Sequence, residues 1–385
     1  MGHSCDGMII SVITVVLNGE DTIERTIKSV LSQNYPDIEY IVIDGGSTDG
    51  TVEIIKKYAD KISYWISEDD DGLYFAMNKG LRRAKGNYVY FLNSGDCFLN
   101  GAVRRVFSLP EIDKTDVICC NVVNKNGIEW PKPFESFYWR MAAGHQMVFV
   151  KRNIHGEFDT NYKFAADYKL IYGLYKEGRV FSYVPVEITF CQPGGLSDNL
   201  ANVNSERASV SCSMMDETDE NYDRYRQCIM DVYIDFECEV IMKDPNDPRD
   251  ATESFINELS DESLIIFGTG DIAKRHWIKL EPFRKRIKYF VDNDKNKWGT
   301  YFNSIRIESP DCLKKETNKY IYILNERYCE EIKMQIASMS LDPSNRIDDF
   351  ISAKGRFRNK HRSEILERAV NLIPGFERLY FGRKE

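Results

Sequence analysis

Two short apolar runs, each closed by a carboxylate, constrain this chain most. Ile38–Ile43 ends in Asp44-Gly45-Gly46-Ser47-Thr48-Asp49-Gly50-Thr51, and Tyr88–Leu92 ends in Asn93-Ser94-Gly95-Asp96. Runs this short and rich in β-branched and aromatic residues fit buried strands. Between and before them the period is helical: Ile23, Ile27, Val30 and Leu31 recur on one face, and Leu73–Ala84 follows a third strand-like run, Tyr64–Ser67. Ile9–Leu17 opens the series as another buried strand. Strand alternating with helix builds a parallel sheet covered on both faces. In such sheets ligands bind outside the carboxyl ends of the strands. Acidic groups gathered there suit a divalent cation or the hydroxyls of a sugar nucleotide.

At 385 residues the chain is long enough for two domains. Its net charge of −9 argues against nonspecific nucleic-acid binding, which needs a basic surface. Ten cysteines are scattered without a CxxC pair, as expected of reduced thiols in a cytoplasmic protein. No stretch approaches the ~20 apolar residues of a membrane helix, and the first seven residues lack the regions of a signal peptide. The expected location is therefore cytoplasmic, with the inner face of the membrane as the other candidate.

From Asp116 to Arg179 the pattern is less regular, with Val117–Val123 and Met147–Val150 strand-like and Asp167–Lys176 helical. Gln192–Asn199 reads as a loop rich in Gly and Pro, and 204–226 as one polar helix. Lys243–Asp250, with two prolines, reads as a linker. A second α/β unit begins at Ser263. Leu264–Phe267 is followed by Gly268-Thr269-Gly270-Asp271-Ile272-Ala273, Ile287–Val291 ends at Asp292, and Tyr320–Leu324 gives a third strand. The boundaries expected are 8–242, a linker over 243–262, a second domain over 263–352, and a basic, partly helical tail over 353–385. No second βαβ half is evident past Asp292.

Five blocks in order resemble family 2 glycosyltransferases of the GT-A fold. They are Ser11–Asn18, Val42–Thr51, Ser67–Tyr74 running into Ala76–Gly80, Phe91–Asp96 and Ala165–Tyr168. The resemblance implies a nucleotide-sugar donor, most simply a UDP-sugar, and a glycan or lipid-linked glycan acceptor of the bacterial surface-polysaccharide type. It also implies inversion at the anomeric carbon and Mn²⁺ or Mg²⁺ as cofactor. Asp96 matches the last carboxylate of the family's Asp-x-Asp motif, here reduced to Ser94-Gly95-Asp96, and is the expected metal ligand. Thr14, Asn18, Asp44, Gly45, Asp70, Asn78 and Ser94 fall on donor-binding positions. Asp71 stands where the family often has Arg or Lys, and Phe75 where it often has Asp.

The chemistry needs a base for the acceptor hydroxyl, and a carboxylate in reach contributes ~10²–10⁴-fold. Asp167, ahead of an apolar-periodic helix, matches the family's base, although a helix N-terminus also favours a carboxylate that merely caps it. His145 and Gln146 in Gly144-His145-Gln146, and Gly195 in the loop, are expected at the acceptor or donor phosphates. Trp130–Phe134 and Phe137–Trp139 suit either sugar stacking or core packing.

In the second unit Gly268-x-Gly270 opening a helix, with Asp292 ending the next strand, suggests a nucleotide site. That unit resembles the Rossmann-like domains accompanying surface-polysaccharide enzymes. Structural or oligomerising, nucleotide-binding and catalytic roles are all open for it. The rival functions are a Rossmann-type oxidoreductase or epimerase acting through this unit, and a sugar-nucleotide-binding scaffold without turnover. Lys354, Arg356, Arg358, Lys360 and Arg362, followed by Leu366, Val370, Leu372, Ile373 and Phe376, suit either peripheral contact with an anionic membrane or a packed helix.

Overall fold

The computed structural model describes residues 7–125, 127–192, 200–243, 263–325 and 328–377. The expected donor loop around Gly195 and nearly all of the expected linker lie outside them. The chain divides into two compact units, Met1–Val232 with Val370–Glu385, and Tyr233–Ala369. Both boundaries fall within helices, inside Tyr222–Lys243 and inside Phe350–Leu372.

The first unit begins with four parallel strands joined by helices. In chain order these are β1 (Ile10–Val16), α1 (Ile23–Leu31), β2 (Ile38–Asp44), α2 (Thr51–Lys57), β3 (Tyr64–Ser67), α3 (Leu73–Arg83) and β4 (Tyr88–Phe91). Every residue of β1 is buried, as a central parallel strand requires. Alternate residues serve opposite faces. Val12, Val16 and Val42 join Ile23, Ile27 and Val30 of α1, while Ile13, Val15, Ile41 and Ile43 join Tyr74, Met77 and Leu81 of α3.

The spatial order is β3-β2-β1-β4. The chain leaves β1 toward β2 and later returns to the far side of β1 as β4, which makes a switch point between the carboxyl ends of β1 and β4. Such a point opens a crevice. Beyond β4 the sheet becomes mixed. It continues through β5 (Cys97–Phe98), α4 (Ala102–Phe107), β6 (Val117–Asn124), β7 (Gly127–Glu129), β8 (Val148–Lys151), α5 (Ala166–Lys176) and β9 (Phe181–Phe190), in the order β4-β8-β6-β9-β5 with β7 on β6.

The ten-residue β9 was not evident from the sequence. Pro185 interrupts its pattern, and the ladder to β6 shifts register around Val184–Glu187 to accommodate it. The expected single helix over 204–226 is two, α6 (Leu200–Met214) and α7 (Tyr222–Lys243), because Asp216 and Asp219 cap turns between them through Thr218 N and Asn221 N.

Close approach of backbones fixes Gly86. A Cβ there would lie 2.6 Å from the N of Ser11 and 2.8 Å from the O of Ile9. Neither backbone atom can yield without disturbing β1. Gly86→Ala should therefore lower the stability of the first unit by about 1–3 kcal/mol, read as a lower denaturation midpoint at unchanged slope.

In the second unit the strands β10 (Leu264–Phe267), β11 (Ile287–Val291), β12 (Tyr301–Phe302), β13 (Ile305–Glu308), β14 (Tyr320–Ile323) and β15 (Arg346–Asp349) lie in the order β12-β13-β11-β10-β14-β15. All but β12 pair in parallel. This corrects the expectation of a single half. β14, the helix Cys329–Ser338 and β15 supply a second βαβ half, and the strand order is that of a doubly wound sheet. β15 escaped notice because its sequence, RIDD, is polar and largely exposed.

The basic tail lies on the helix Phe350–Leu372. Arg356 pairs with Asp348 and Arg358 with Asp235. Ile365, Leu366, Ile373 and Phe376 are buried, while Leu372 is exposed. Those four buried side chains cannot enter a membrane from this conformation. Among the described residues no helix is long and apolar enough to cross one.

Candidate active site

A cleft of about 850 Å³ opens at the switch point. One wall is the carboxyl end of β1, from Val15 to Gly19, with Asn93–Asp96 after β4. The other carries Met141–Met147, Lys163, Phe164, Asp167 and Arg207.

The loop after β4 is held from α1. Thr26 Oγ1 donates to the O of Asp96 (2.8 Å) and accepts from the N of Gly95 (3.0 Å). Arg25 Nη2 donates to the O of Gly95 (2.7 Å) and to Gln192 Oε1 (2.9 Å). Gly95 sits at φ +101°, where a side chain would be strained. Ser94 pairs with Thr22 (2.9 Å). The carboxylate of Asp96 is buried and accepts from the N of Gln192 (2.9 Å), so β9's exit is tied to it. Burial raises its pKa above the ordinary carboxylate range, against the opposing pull of Gln192, His145, Gln146 and Arg25. Among the described residues no group of three or more His, Cys, Asp or Glu gathers as a metal cage.

Asp167 stands in the first turn of α5, and only 6% of its side chain is exposed. The chain leading into it is drawn to α6, where Glu206 accepts from the N of Lys163 (2.8 Å), Phe164 (2.6 Å) and Ala165 (3.0 Å). Oδ1 of Asp167 accepts from the Tyr74 hydroxyl (3.1 Å) and its neighbour's N, Tyr168 (2.8 Å). Oδ2 meets His145 Nδ1 at 2.8 Å and His145 N at 3.4 Å. Burial pulls the Asp167 carboxyl up, but His145 and then Arg207 outweigh it and hold it below its usual pKa. Burial and the adjacent Asp167 push the Tyr74 phenol far up, so it remains a donor. His145 reaches the other wall as well, with Nε2 3.0 Å from Asn93 Nδ2. The cleft thus joins the expected base, His145, Gln146, Ser94 and Asp96.

Asn18 and Ser94 line the cleft, whereas Thr14, Asp44, Gly45, Asp70 and Asn78, also expected at the donor, do not. Thr14, Asp44 and Asn78 are buried and hydrogen-bonded internally. Thr14 Oγ1 donates to the O of Leu92 and accepts from Tyr40. Asp44 accepts from Ser47 N, Ser47 Oγ and Ser67 Oγ, which shapes its own turn. Asn78 makes a reciprocal pair with the backbone of Phe158 (2.9 and 2.8 Å).

Asn78→Ala should accordingly cost about 1–3 kcal/mol of stability by orphaning the N–H and C=O of Phe158, with donor KM unchanged in the folded fraction. A raised KM at wild-type stability would restore a donor contact.

Asp70 has one oxygen on the N of Gly72 (3.0 Å), while Oδ2 is buried without a partner and faces Gly45. At Gly46, φ +82°, a Cβ would meet Asp69 Oδ1 at 2.1 Å. The aromatic segment is mostly packing: Phe137 is fully buried and Tyr138 stacks on Tyr225 at 4.1 Å, although Trp130 is exposed. Arg25, Glu206 and Arg207 were missed by sequence reasoning. Their segments carry no local signal beyond a polar helix face.

In the second unit the expected acid, Asp292, is hydrogen-bonded within its own turn. Asp292 Oδ2 accepts from the N and Oγ1 of Thr269 and from Lys297, and Oδ1 from the N of Asp294. Its carboxylate braces the turn. Gly268, at φ +119° and against the O of Leu324, needs to be glycine; Gly270 has open space around it.

Residues 11–170 match the family described as Glycosyl transferase family 2, and residues 260–347 match the one described as C2185-like, N-terminal. An uncharacterized glycosyltransferase of Mycobacterium tuberculosis is 47% identical over 177 residues, covering 42% of this chain and 67% of the relative. TuaG of Bacillus subtilis, a putative teichuronic acid biosynthesis glycosyltransferase, is 44% identical over 91 residues, 23% of this chain and 36% of its own. Among solved structures, TarS 1–349 of S. aureus aligns with a TM-score of 0.49 at 18% identity over 73% of this chain and 84% of that one. With its switch-point cleft and a relative matched over two thirds of its length, the chain belongs to glycosyl transferase family 2.

Proposed function

We propose that the first unit transfers a sugar with inversion from a nucleotide-sugar donor, a UDP-sugar, to a hydroxyl of a glycan or lipid-linked glycan. The observation that carries this is the meeting of Asp167 and His145 with Asn93 and the Asp96 loop across one cleft. The donor's diphosphate belongs beside Asp96, at the carboxyl ends of β1 and β4. The unpartnered Oδ2 of Asp70 near Gly45 suits a base N–H or ribose hydroxyl of the nucleoside. The Asp167–His145 pair takes the acceptor's proton on the side facing the anomeric carbon. Loss of that proton lets the acceptor oxygen displace the nucleoside diphosphate in line.

A single buried carboxylate whose pKa burial has raised fits a divalent cation shared with the donor's phosphates, and does not make a cage alone. When bound, Mn²⁺ or Mg²⁺ neutralises charge on the leaving diphosphate. Asp96 would hold it. Lys132, Lys163 and Arg207 line the cleft together with Glu129 and Asp167.

The second unit is read as a Rossmann-like support for the first. The test is UDP release from a panel of UDP-hexoses with and without n-octyl glycosides, in Mn²⁺ or EDTA. Acceptor-dependent, cation-dependent release supports the reading. UDP binding without release favours a scaffold, and NAD(P)H turnover favours an oxidoreductase.

A further inference from the structure

Arg207 brings to the Asp167 side of the cleft a cation that the chain itself does not answer with an anion. It sits on α6 and lines the cleft with Lys163, Phe164 and Asp167. A guanidinium is a planar fork of N–H donors with no acceptor. The structure gives this fork a hydrogen bond from Nη2 to Met141 Sδ at 3.5 Å, and a thioether is a weak acceptor. Its Nε is buried without a partner. A charged donor sealed from water loses its hydration, and only an anion or a good acceptor offsets that loss.

The neighbouring carboxylates are committed elsewhere. Glu206 holds the N of Lys163 (2.8 Å), Phe164 (2.6 Å) and Ala165 (3.0 Å). Asp167 holds Tyr74, Tyr168 and His145. Glu129 accepts from the amide of Asn124 at 3.1 Å. Arg207 acts on Asp167 through its charge: burial pulls that carboxyl up, and His145 and then Arg207 bring it below its usual pKa. The Glu206 bonds also tie α6 to the segment entering α5, so Arg207 is fixed in place relative to Asp167. Lys163, exposed, lies on that same segment.

An acceptor hydroxyl has to come up to Asp167, whereas the donor's diphosphate belongs beside Asp96 on the opposite wall. A neutral sugar needs no guanidinium there. A sugar bearing a carboxylate or phosphate does, because it meets the charges of Asp96, Asp167 and the diphosphate. The guanidinium fork matches carboxylate and phosphate alike.

We infer that Arg207, with Lys163 on the adjoining segment, is a specificity-determining residue that binds an acidic group, carboxylate or phosphate, on the acceptor sugar that offers its hydroxyl to Asp167. This rests on the proposed transferase reading and names the acceptor's chemical class.

The experiment uses the full chain with Mn²⁺ and the UDP-hexose that the donor panel selects. The acceptors differ only at C6: n-octyl β-D-glucoside, n-octyl β-D-glucuronide and n-octyl β-D-glucoside 6-phosphate. For one of the acidic acceptors kcat/KM should exceed that for the glucoside by ~10–10²-fold, the span of a hydrogen bond to a charged group. Which one is preferred tells carboxylate from phosphate. Arg207→Gln should erase most of that preference, with UDP affinity by calorimetry unchanged. No preference in the wild-type chain, or a preference that survives Arg207→Gln, would overturn the assignment. So would an equal drop with all the acceptors, which would leave Arg207 serving Asp167 alone, or a loss of UDP affinity, which would put it on the donor's phosphates. Should Arg207→Gln fail to fold, Lys163→Ala at its exposed position decides: the preference should fall, and an unchanged one overturns the proposal. A second measurement does not depend on turnover. Calorimetry on the UDP-loaded wild-type chain should show tighter binding of an acidic acceptor than of the glucoside, and equal affinities would overturn it. A wild-type chain that releases no UDP from any donor would defeat the transferase reading instead, and these affinities would still decide Arg207.

Discussion

Asp96→Asn should abolish sugar transfer, with turnover down by ~10²–10³-fold or more, and should remove the gain in UDP affinity that Mn²⁺ confers. The substitution keeps shape. An amide oxygen can still accept from the N of Gln192, and Thr26 still grips the backbone O at 2.8 Å. What goes is the one negative charge between Asn93 and Asp96. Elsewhere in the family a second carboxylate of the Asp-x-Asp motif would share that load; here Ser94 stands in its place. UDP titrations by calorimetry in Mn²⁺ and in EDTA, with transfer assays alongside, check it. Wild-type activity in excess EDTA would sink the cation's role, and near-wild-type activity in Asp96→Asn would sink the residue's.

Asp167→Asn should lower transfer by ~10²–10⁴-fold while UDP affinity stays within a small factor. The carboxylate is buried among donors, and an amide has one oxygen and two N–H groups. At least one N–H would then face Tyr74 or His145 where an oxygen now accepts. The same mismatch should cost about 1–3 kcal/mol of stability, visible as a lower melting temperature. Weak UDP binding with unchanged turnover of the bound donor would move Asp167 into the donor site.

Hydropathy alone reached far into the first unit. β1, β2, β3, β4 and the helices between them follow from apolar runs and helical spacing, because a strand largely buried in a parallel sheet is mostly apolar. The carboxylates at the ends of β2 and β4 follow from the same runs. The second half of each unit was harder to see, because β9 carries Pro185 and β15 is polar, so neither shows a strand's alternation.

The site divides along the same line. The family resemblance picked out Asp96, His145 and Asp167, and the sequence pattern by itself determined the strand-and-helix frame that carries them. Tertiary structure decided their relations. His145 lies 22 residues from Asp167 and 52 from Asn93, yet bonds to both. It also turned Thr14, Asp44 and Asn78 inward, and Asp292 back onto its own turn. Local pattern records which face of an element is apolar; which polar group meets which is set by the packing of distant segments, and that information exists only once the chain has closed on itself.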